Sequence, residues 1–276
     1  GGGPADGARA GELRGAVDQG VRGLALQAHR QRSDGREAHV RDRRADRAQG
    51  PGSFFGNYTY LLPGNAASGQ TPSGDGYCTV IVPKSGLVKM AGKLGDGQLL
   101  KTASSTISRE GIFPLYAPAS NGVVIGWLNF TNSPQRNLNG SLIWVKRSQS
   151  NGICTAGFSN EIPVIASSYT QPPSGQRGIF ITNGVVGLEQ GELPNNITNY
   201  LKISEANEIT LLSTNGSMTK LTFVPATGIL KGTFVHPNKP GKLTEISGIY
   251  LQNQNYGGGF FMGTNQTGPL VLQETQ

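Results

Sequence analysis

An internal repeat is the feature that most constrains how this chain can fold. The segment Val82–Lys89 returns 142 positions later as Val224–Lys231. Two shorter matches, both at an offset of 137, pair Gly111–Phe113 with Gly248–Tyr250 and Gly122–Gly126 with Gly259–Gly263. Matched segments that keep their order while the loops between them change length are typical of a duplicated unit.

Short runs of alternating apolar and polar residues fill the repeated region, and Gly, Asn, Pro and Ser separate them about every ten residues, as in an antiparallel meander. In the predicted strand 87–94, Val88, Met90 and Leu94 share one face while Lys89 and Lys93 share the other. One apolar face per strand indicates a sheet closed over a single core.

We therefore predict an all-β fold of two tandem antiparallel up-and-down barrel-like units related by internal duplication. A pair of immunoglobulin-like sandwiches is the alternative, and the missing Cys–Trp–Cys spacing disfavours it.

Composition sets the domain boundaries. Residues 1–50 hold ten of the fourteen arginines and no Phe, Tyr, Trp, Ile or Lys, so this head has no means of forming a core. We predict a disordered or frayed-helical head, and its restriction to residues with GC-rich codons raises the hypothesis of out-of-frame translation. The predicted first unit spans 51–148, a linker spans 149–174, and the second unit spans 175–276.

Charge and hydropathy exclude several classes of partner. The head has ten arginines against seven acidic residues, and the remainder has fourteen basic against ten acidic residues. Both excesses are modest and no aromatic residue is interleaved with the arginines, so we predict no nucleic-acid binding. The sequence has no run of eighteen apolar residues, so we predict no membrane-spanning helix. Gly1–Pro4 does not resemble a signal peptide, and because the chain lacks an initiating Met we interpret it as a fragment.

The titratable residues after position 50 do not suggest catalysis. His236 is expected at the surface at a strand end, and Asp75 and Asp96 are expected in Gly-Asp-Gly turns that need backbone freedom more than a carboxylate. Four glutamates are interpreted as solvated turn or edge residues: Glu189, Glu192, Glu205 and Glu208. We predict no enzyme, no catalytic residue, no cofactor and no metal site.

The cysteines and glycines are interpreted structurally. Cys78 and Cys154 are predicted to be unpaired thiols, with a bridge between them as the alternative. The string Gly257–Gly259 lacks the Lys-Ser/Thr pair of a phosphate loop. The repeated glycines are expected at bends or close sheet contacts. Turns are predicted at the Asn-Gly pairs that begin at Asn121, Asn139 and Asn183.

Three aromatic residues are the candidates for ligand contact: Tyr116, Trp127 and Trp144. Trp127 alternates in line with Val123 and Ile125, and Trp144 alternates in line with Leu138 and Leu142. A Trp in line with two aliphatic residues favours a core position. If the protein binds a glycan, the exposed members of this set are expected to form the stacking surface.

Several segments resemble a known kind of module: Gly126–Phe130, Leu138–Trp144, Gly248–Gly257 and Gly259–Gln266. They are similar to the C-terminal β-rich modules of very large secreted or surface proteins of environmental bacteria, which also carry immunoglobulin-like and other β repeats. The resemblance covers about 51–274. It implies a β fold and an extracellular or cell-surface location, and it carries over no catalytic residue.

The leading functional prediction is a non-enzymatic extracellular module of a large bacterial surface protein, with a structural or adhesive role. The alternative is a β-barrel module that binds a glycan or a small ligand. The expected partners are a surface glycan or neighbouring β domains of the same protein.

Overall fold

The computed structural model describes residues 54–65, 70–131, 138–212 and 218–275. The predicted head, residues 1–50, lies outside the described residues. The described ranges contain seventeen β-strands: β1 Gly56–Leu62, β2 Gly76–Val82, β3 Leu87–Lys93, β4 Leu99–Thr106, β5 Ile112–Ala119, β6 Gly122–Phe130, β7 Leu138–Lys146, β8 Phe158–Pro163, β9 Ile165–Tyr169, β10 Asn183–Leu188, β11 Ile197–Ile203, β12 Ile209–Leu211, β13 Met218–Val224, β14 Ile229–Val235, β15 Leu243–Leu251, β16 Tyr256–Met262 and β17 Thr267–Glu274.

The first barrel consists of β1–β9 in two antiparallel sheets, ordered β4-β3-β2-β1-β9 and β5-β6-β7-β8. Strands β8 and β9 are separated only by Val164, whose N–H donates to the Gly140 carbonyl at 2.9 Å. One bent strand thus joins the sheets, and the chain crosses between them again from β4 to β5. The two sheets enclose one core that contains Tyr58, Met90 and Phe130.

The second barrel consists of β10–β17 in one eight-stranded sheet, ordered β12-β11-β10-β17-β16-β15-β14-β13. Pairing of β10 with β17 brings the first and last strands together. Only the step from β12 to β13 lacks ladder hydrogen bonds within the described strands, so the barrel is nearly closed. Phe234, Tyr250 and Phe261 fill its interior. The predicted all-β, barrel-like fold is confirmed.

The stretch 149–174, predicted as a linker, carries β8 and β9. These strands pair with β7 and β1 and therefore complete the first barrel. The described part of 51–276 forms one compact unit.

The longest sequence match corresponds to two equivalent hairpins, β2–β3 and β13–β14. Gly86 and Gly228 end their turns with φ of 76° and 77°, a left-handed conformation that glycine adopts without a Cβ clash. Each turn glycine also accepts a backbone bond from a later residue: Gly86 from Ile107 at 3.1 Å and Gly228 from Tyr250 at 2.8 Å. At this hairpin the sequence repeat therefore corresponds to a repeated local structure.

The two shorter sequence matches lie at different positions along their strands. Gly111–Phe113 leads into β5, whereas Gly248–Tyr250 lies near the end of β15. Gly122–Gly126 begins β6, whereas Gly259–Gly263 runs through the end of β16. Glycine followed by apolar residues recurs in any tightly bent meander, so these two matches do not mark equivalent positions.

The two barrels pack directly on each other through the outer faces of β1 and β2 and of β15 and β16. Leu61 and Tyr77 from the first barrel form an apolar cluster with Ile249, Leu251 and Phe260 from the second. We call this contact the junction.

Hydrogen bonds and glycines tighten the junction. Thr59 Oγ1 donates to the Tyr250 carbonyl at 3.0 Å, and the Asp75 N–H donates to the Gly259 carbonyl at 3.0 Å. A Cβ on Gly258 would lie 2.6 Å from Leu61 Cδ1. Gly258 therefore permits the close approach of the two barrels.

Candidate binding face

The outer face of β6, in the sheet β5-β6-β7-β8, carries an exposed tryptophan. Val124, Leu128 and Phe130 point into the first barrel and are buried. Side chains alternate along a strand, so Ile125 and Trp127 point outward, and Trp127 is 67% exposed. The expectation of a core position for Trp127 is wrong, because its aliphatic neighbours on the same strand face are exposed with it.

Tyr116 lies beside Trp127 on the neighbouring strand β5 and is 68% exposed. The register pairs Tyr116 with Ile125 and Pro114 with Trp127. Tyr116 and Trp127 are therefore diagonal neighbours on one face, with backbones about 7–8 Å apart. Ile143 of β7 lies opposite Ile125 and is also exposed, which extends the surface across a third strand.

We call this surface the aromatic face. Its members are the outward residues of β5, β6 and β7: Ile112, Pro114, Tyr116, Pro118, Val123, Ile125, Trp127, Ile143 and Val145. All are exposed or half-buried. Scattered exposed apolar residues are ordinary, but a contiguous apolar patch on three adjacent strands is typical of an interaction site.

Polar groups border the aromatic face. Ser141 lies directly opposite Trp127 on β7, and its Oγ donates to Glu161 Oε1 of β8 at 2.5 Å. Glu161 and Asn129 are exposed. Hydroxyl, carboxylate and amide groups next to an exposed indole can hydrogen-bond a ligand that also stacks on the ring.

Trp144 lies on the opposite side of the sheet from the aromatic face. It is 4% exposed, shares the interior with Leu138 and Leu142, and packs edge-on against Phe158 at 4.7 Å between ring centroids. Its indole N–H has no partner among the described residues. The structure thus brings Tyr116 and Trp127 together and places Trp144 in the core.

His236 is buried, so the expectation of a surface histidine is wrong. Its Nδ1 accepts the Asn238 N–H at 3.1 Å, which leaves Nε2 to donate to the Gly191 carbonyl at 2.9 Å. Phe234 and Phe261 flank the ring. With both nitrogens bonded to the backbone, this imidazole fixes the end of β14 against the loop at Gly191.

Asp96 forms a buried ion pair, so the expectation that its turn needs backbone freedom more than the carboxylate is wrong. Lys146 Nζ lies 2.6 Å from Asp96 Oδ2, and the two side chains are 2% and 0% exposed. The ammonium also donates to the Ile153 carbonyl at 2.6 Å, and Gln98 donates to both carboxylate oxygens. This ion pair ties the β3–β4 turn to the end of β7 and to the loop after it.

Asp75 lies at the junction, where its carboxylate accepts the Gly64 N–H at 2.9 Å. Burial of this carboxyl group raises its pKa to about 7, against the opposing effect of the Gly64 bond. Tyr256, from the second barrel, has its pKa raised by burial and by the nearby Asp75.

The glutamates and cysteines considered as candidates either bond to neighbouring residues or remain unpaired. Glu205 is exposed and pairs with Arg177 at 2.8 Å. Glu192 accepts the Asn265 N–H at 2.8 Å and so holds the β16–β17 turn. Cys78 and Cys154 are free thiols, as predicted. Within the described ranges, no three residues among His, Cys, Asp and Glu come close enough to hold a metal ion.

A cleft of about 490 Å³ opens between β12 and β13, where the second barrel is not closed. We call this cleft the seam. Its walls include Ile209 and Leu211 from β12 and Leu221 and Phe223 from β13. Sequence patterns gave no sign of it, because β12 is only three residues long.

Comparison with known proteins yields no match: no family model fits the sequence, and no curated protein or solved structure is significantly similar to it. Within the described part of the chain, no helix is long and apolar enough to cross a membrane.

Proposed function

We propose that the described double barrel is a non-enzymatic adhesion module of an extracellular bacterial surface protein, and that it binds a neutral polysaccharide through the aromatic face. The observation that carries the proposal is the exposure of Trp127 beside Tyr116 on an apolar surface formed by three strands. The junction suits a structural role, because an apolar cluster and hydrogen bonds join the two barrels directly.

The chemistry of the aromatic face favours a sugar chain. Sugar rings present C–H groups on their faces and hydroxyls at their edges, so a chain lying on Tyr116 and Trp127 gains apolar contact and keeps its hydroxyls free. Ser141 and Glu161 supply acceptors beside the ring. No Lys or Arg points outward from the aromatic face itself, which favours a neutral polymer over an acidic one.

The experiment is a pull-down of the protein and two matched variants on insoluble cellulose and chitin. Trp127→Ala removes the most exposed indole from the aromatic face. Tyr200→Ala is the control, since Tyr200 is 48% exposed on β11 of the other barrel. We expect Trp127→Ala to lower the bound fraction at least tenfold and Tyr200→Ala to leave it within twofold.

Both variants remove exposed side chains, so both are expected to fold like the parent protein. The proposal fails if the parent protein binds neither polymer, or if the two variants lose binding equally.

A further inference from the structure

Lys146 and Asp96 meet at the rim of the first barrel in a site that is closed to solvent. Lys146 is the last residue of β7, and Asp96 lies in the turn between β3 and β4. Their side chains are 2% and 0% exposed, and Lys146 Nζ lies 2.6 Å from Asp96 Oδ2. A primary amine and a carboxyl group are the precursors of an amide, and burial keeps away the water that would compete with such a reaction.

Gln98 holds the Asp96 carboxyl group from both sides. Its backbone N–H donates to Asp96 Oδ1 at 3.1 Å, and its side-chain Nε2 donates to Asp96 Oδ2 at 2.6 Å. The side-chain oxygen of Gln98 accepts the Asn121 N–H at 2.8 Å, so Gln98 is itself fixed in position. Fixed N–H groups that point at a carbonyl or carboxyl oxygen stabilise the negative charge that develops there in acyl transfer.

The amine is held as firmly as the carboxyl group. Lys146 Nζ donates to the Ile153 carbonyl at 2.6 Å, and the same carbonyl accepts Gln149 Nε2 at 3.3 Å. The nitrogen is therefore anchored on one side by Ile153 and on the other by Asp96. Two reacting groups held in this way within one molecule can reach effective concentrations of roughly 10⁵ M or more.

We propose that Lys146 and Asp96 react with each other to form an amide bond between their side chains. The ammonium gives one proton to Asp96 Oδ2 across the 2.6 Å contact, which leaves a neutral amine beside a carboxylic acid. The amine lone pair attacks Asp96 Cγ, and the Gln98 N–H stabilises the negative charge on Oδ1. A second proton passes from the attacking nitrogen to Oδ2, the Cγ–Oδ2 bond breaks, and Oδ2 leaves as water.

The reaction needs no further reactant, because the ion pair supplies its own acid and base. One ammonium and one carboxylate become one neutral amide and one water molecule. Burying two charges is costly even when they are paired, and the amide removes both charges from the site. The remaining N–H on Lys146 Nζ keeps its bond to the Ile153 carbonyl, and Asp96 Oδ1 keeps the Gln98 N–H, so these polar groups stay satisfied.

The amide closes a covalent loop between the β3–β4 turn and the end of β7, fifty residues apart in the chain. Such a cross-link persists when the surrounding strands separate, and it restricts the unfolded chain. The bond lies in the interior of the rim and involves no residue of the aromatic face. The proposal is therefore independent of glycan binding.

The test is mass spectrometry of the purified full chain after denaturation. We expect the main species to have a mass one water molecule below that of the sequence. Trypsin cleaves after Lys and Arg, so we expect the peptide Leu94–Lys101 to be joined to the peptide Asn137–Arg147, with no cleavage after Lys146. Fragmentation of the joined peptides locates the link at Asp96 and Lys146.

Lys146→Arg is the matched control, because it keeps a positive charge at this position but has no primary amine. We expect this variant to have the full mass of its sequence and to release Leu94–Lys101 as a separate peptide. The parent protein decides the question even if the variant does not fold.

The proposal is overturned if the parent protein has the full mass and its two peptides are released separately. It is also overturned if one water is lost without a link between the peptides. That result would indicate a succinimide at Asp96-Gly97 or at Asp75-Gly76, since an aspartate followed by glycine can lose water by cyclising onto its own backbone.

Discussion

At the scale of single residues, buried charge is concentrated at Lys146 and Asp96. Burying a charge is costly unless it is paired and hydrogen-bonded, and this pair meets both conditions through Gln98 and the Ile153 carbonyl. The pair joins the β3–β4 turn to the end of β7, fifty residues later in the chain, so its loss should loosen the rim of the first barrel.

Lys146→Met is expected to lower the free energy of unfolding by about 3–5 kcal/mol, because it leaves the buried Asp96 carboxylate without its positively charged partner. Urea denaturation measures the change. The double variant Lys146→Met, Asp96→Asn should recover part of the loss, since Asn keeps an acceptor for the Gln98 N–H. A cost below about 1 kcal/mol for Lys146→Met would mean that the pair behaves like a surface salt bridge.

Sequence alternation placed the apolar residues of single-faced strands correctly, as with Val88, Met90 and Leu94, which are all buried. It failed on β6, where both faces are apolar: Val124 and Leu128 inside, Ile125 and Trp127 outside. Period-two alternation identifies the inner face only where the other face is polar. The partner of Asp96 could not be found from the sequence, because Lys146 is fifty residues away in the chain.

At the scale of elements, Asn-Gly pairs proved unreliable as signals of turns between strands. Asn121-Gly122 follows β5 as predicted, but Asn139-Gly140 and Asn183-Gly184 lie within β7 and β10. Asn-Gly favours a tight turn only when the flanking strands pair with each other, and a single sequence does not show that pairing.

Gly259→Ala is expected to destabilise the protein by about 1–3 kcal/mol, as overpacking does in a tight interior. A Cβ at Gly259 would lie 2.2 Å from the Ser247 carbonyl oxygen and 2.4 Å from Gly248 Cα, both backbone atoms of β15. Gly187→Ala is the matched control: it also lies within a strand, and a Cβ there meets nothing within 4 Å.

Thermal unfolding of the two variants distinguishes steric contact from loss of glycine flexibility. Gly187→Ala should leave the midpoint unchanged or slightly raised, because alanine restricts the unfolded chain. Equal midpoints for both variants would contradict the close contact between β15 and β16.

At the scale of the whole molecule, the junction makes the two barrels one body. It combines an apolar cluster with backbone bonds and with the partly buried carboxyl group of Asp75. The predicted fold class emerged from the sequence, but the junction did not, since the residues involved come from β1, β2, β15 and β16. The strands in 149–174 were also missed, because their alternation is interrupted at Pro163 and Val164.

Stability should fall as the pH rises from about 4 to about 7. The pKa of Asp75 is raised by burial from its ordinary value of 3.8 to about 7. Between those values the folded protein holds a proton that the unfolded chain has released, so raising the pH favours unfolding by about 1.4 kcal/mol for each pH unit. Above pH 7 this contribution is lost completely.

Asp75→Asn should remove this contribution while keeping an acceptor for the Gly64 N–H. The difference in unfolding free energy between parent and variant, measured by urea denaturation at several pH values, isolates Asp75 from other groups. We expect the parent to lose stability relative to the variant from pH 4 to pH 7. Parallel curves would show that the carboxyl group titrates normally.

The most direct test of the proposed function uses the fact that the chain has only two tryptophans, one exposed and one buried. In a Trp144→Phe variant, Trp127 is the sole indole emitter and reports contact with the aromatic face. Titration with soluble cello- and chito-oligosaccharides should shift its emission to shorter wavelength and protect it from acrylamide quenching, and Tyr116→Ala should weaken that response. If the Trp127 emission and its quenching stay constant in saturating oligosaccharide, the aromatic face does not bind these chains, and the account of this protein as a glycan-binding adhesion module is contradicted.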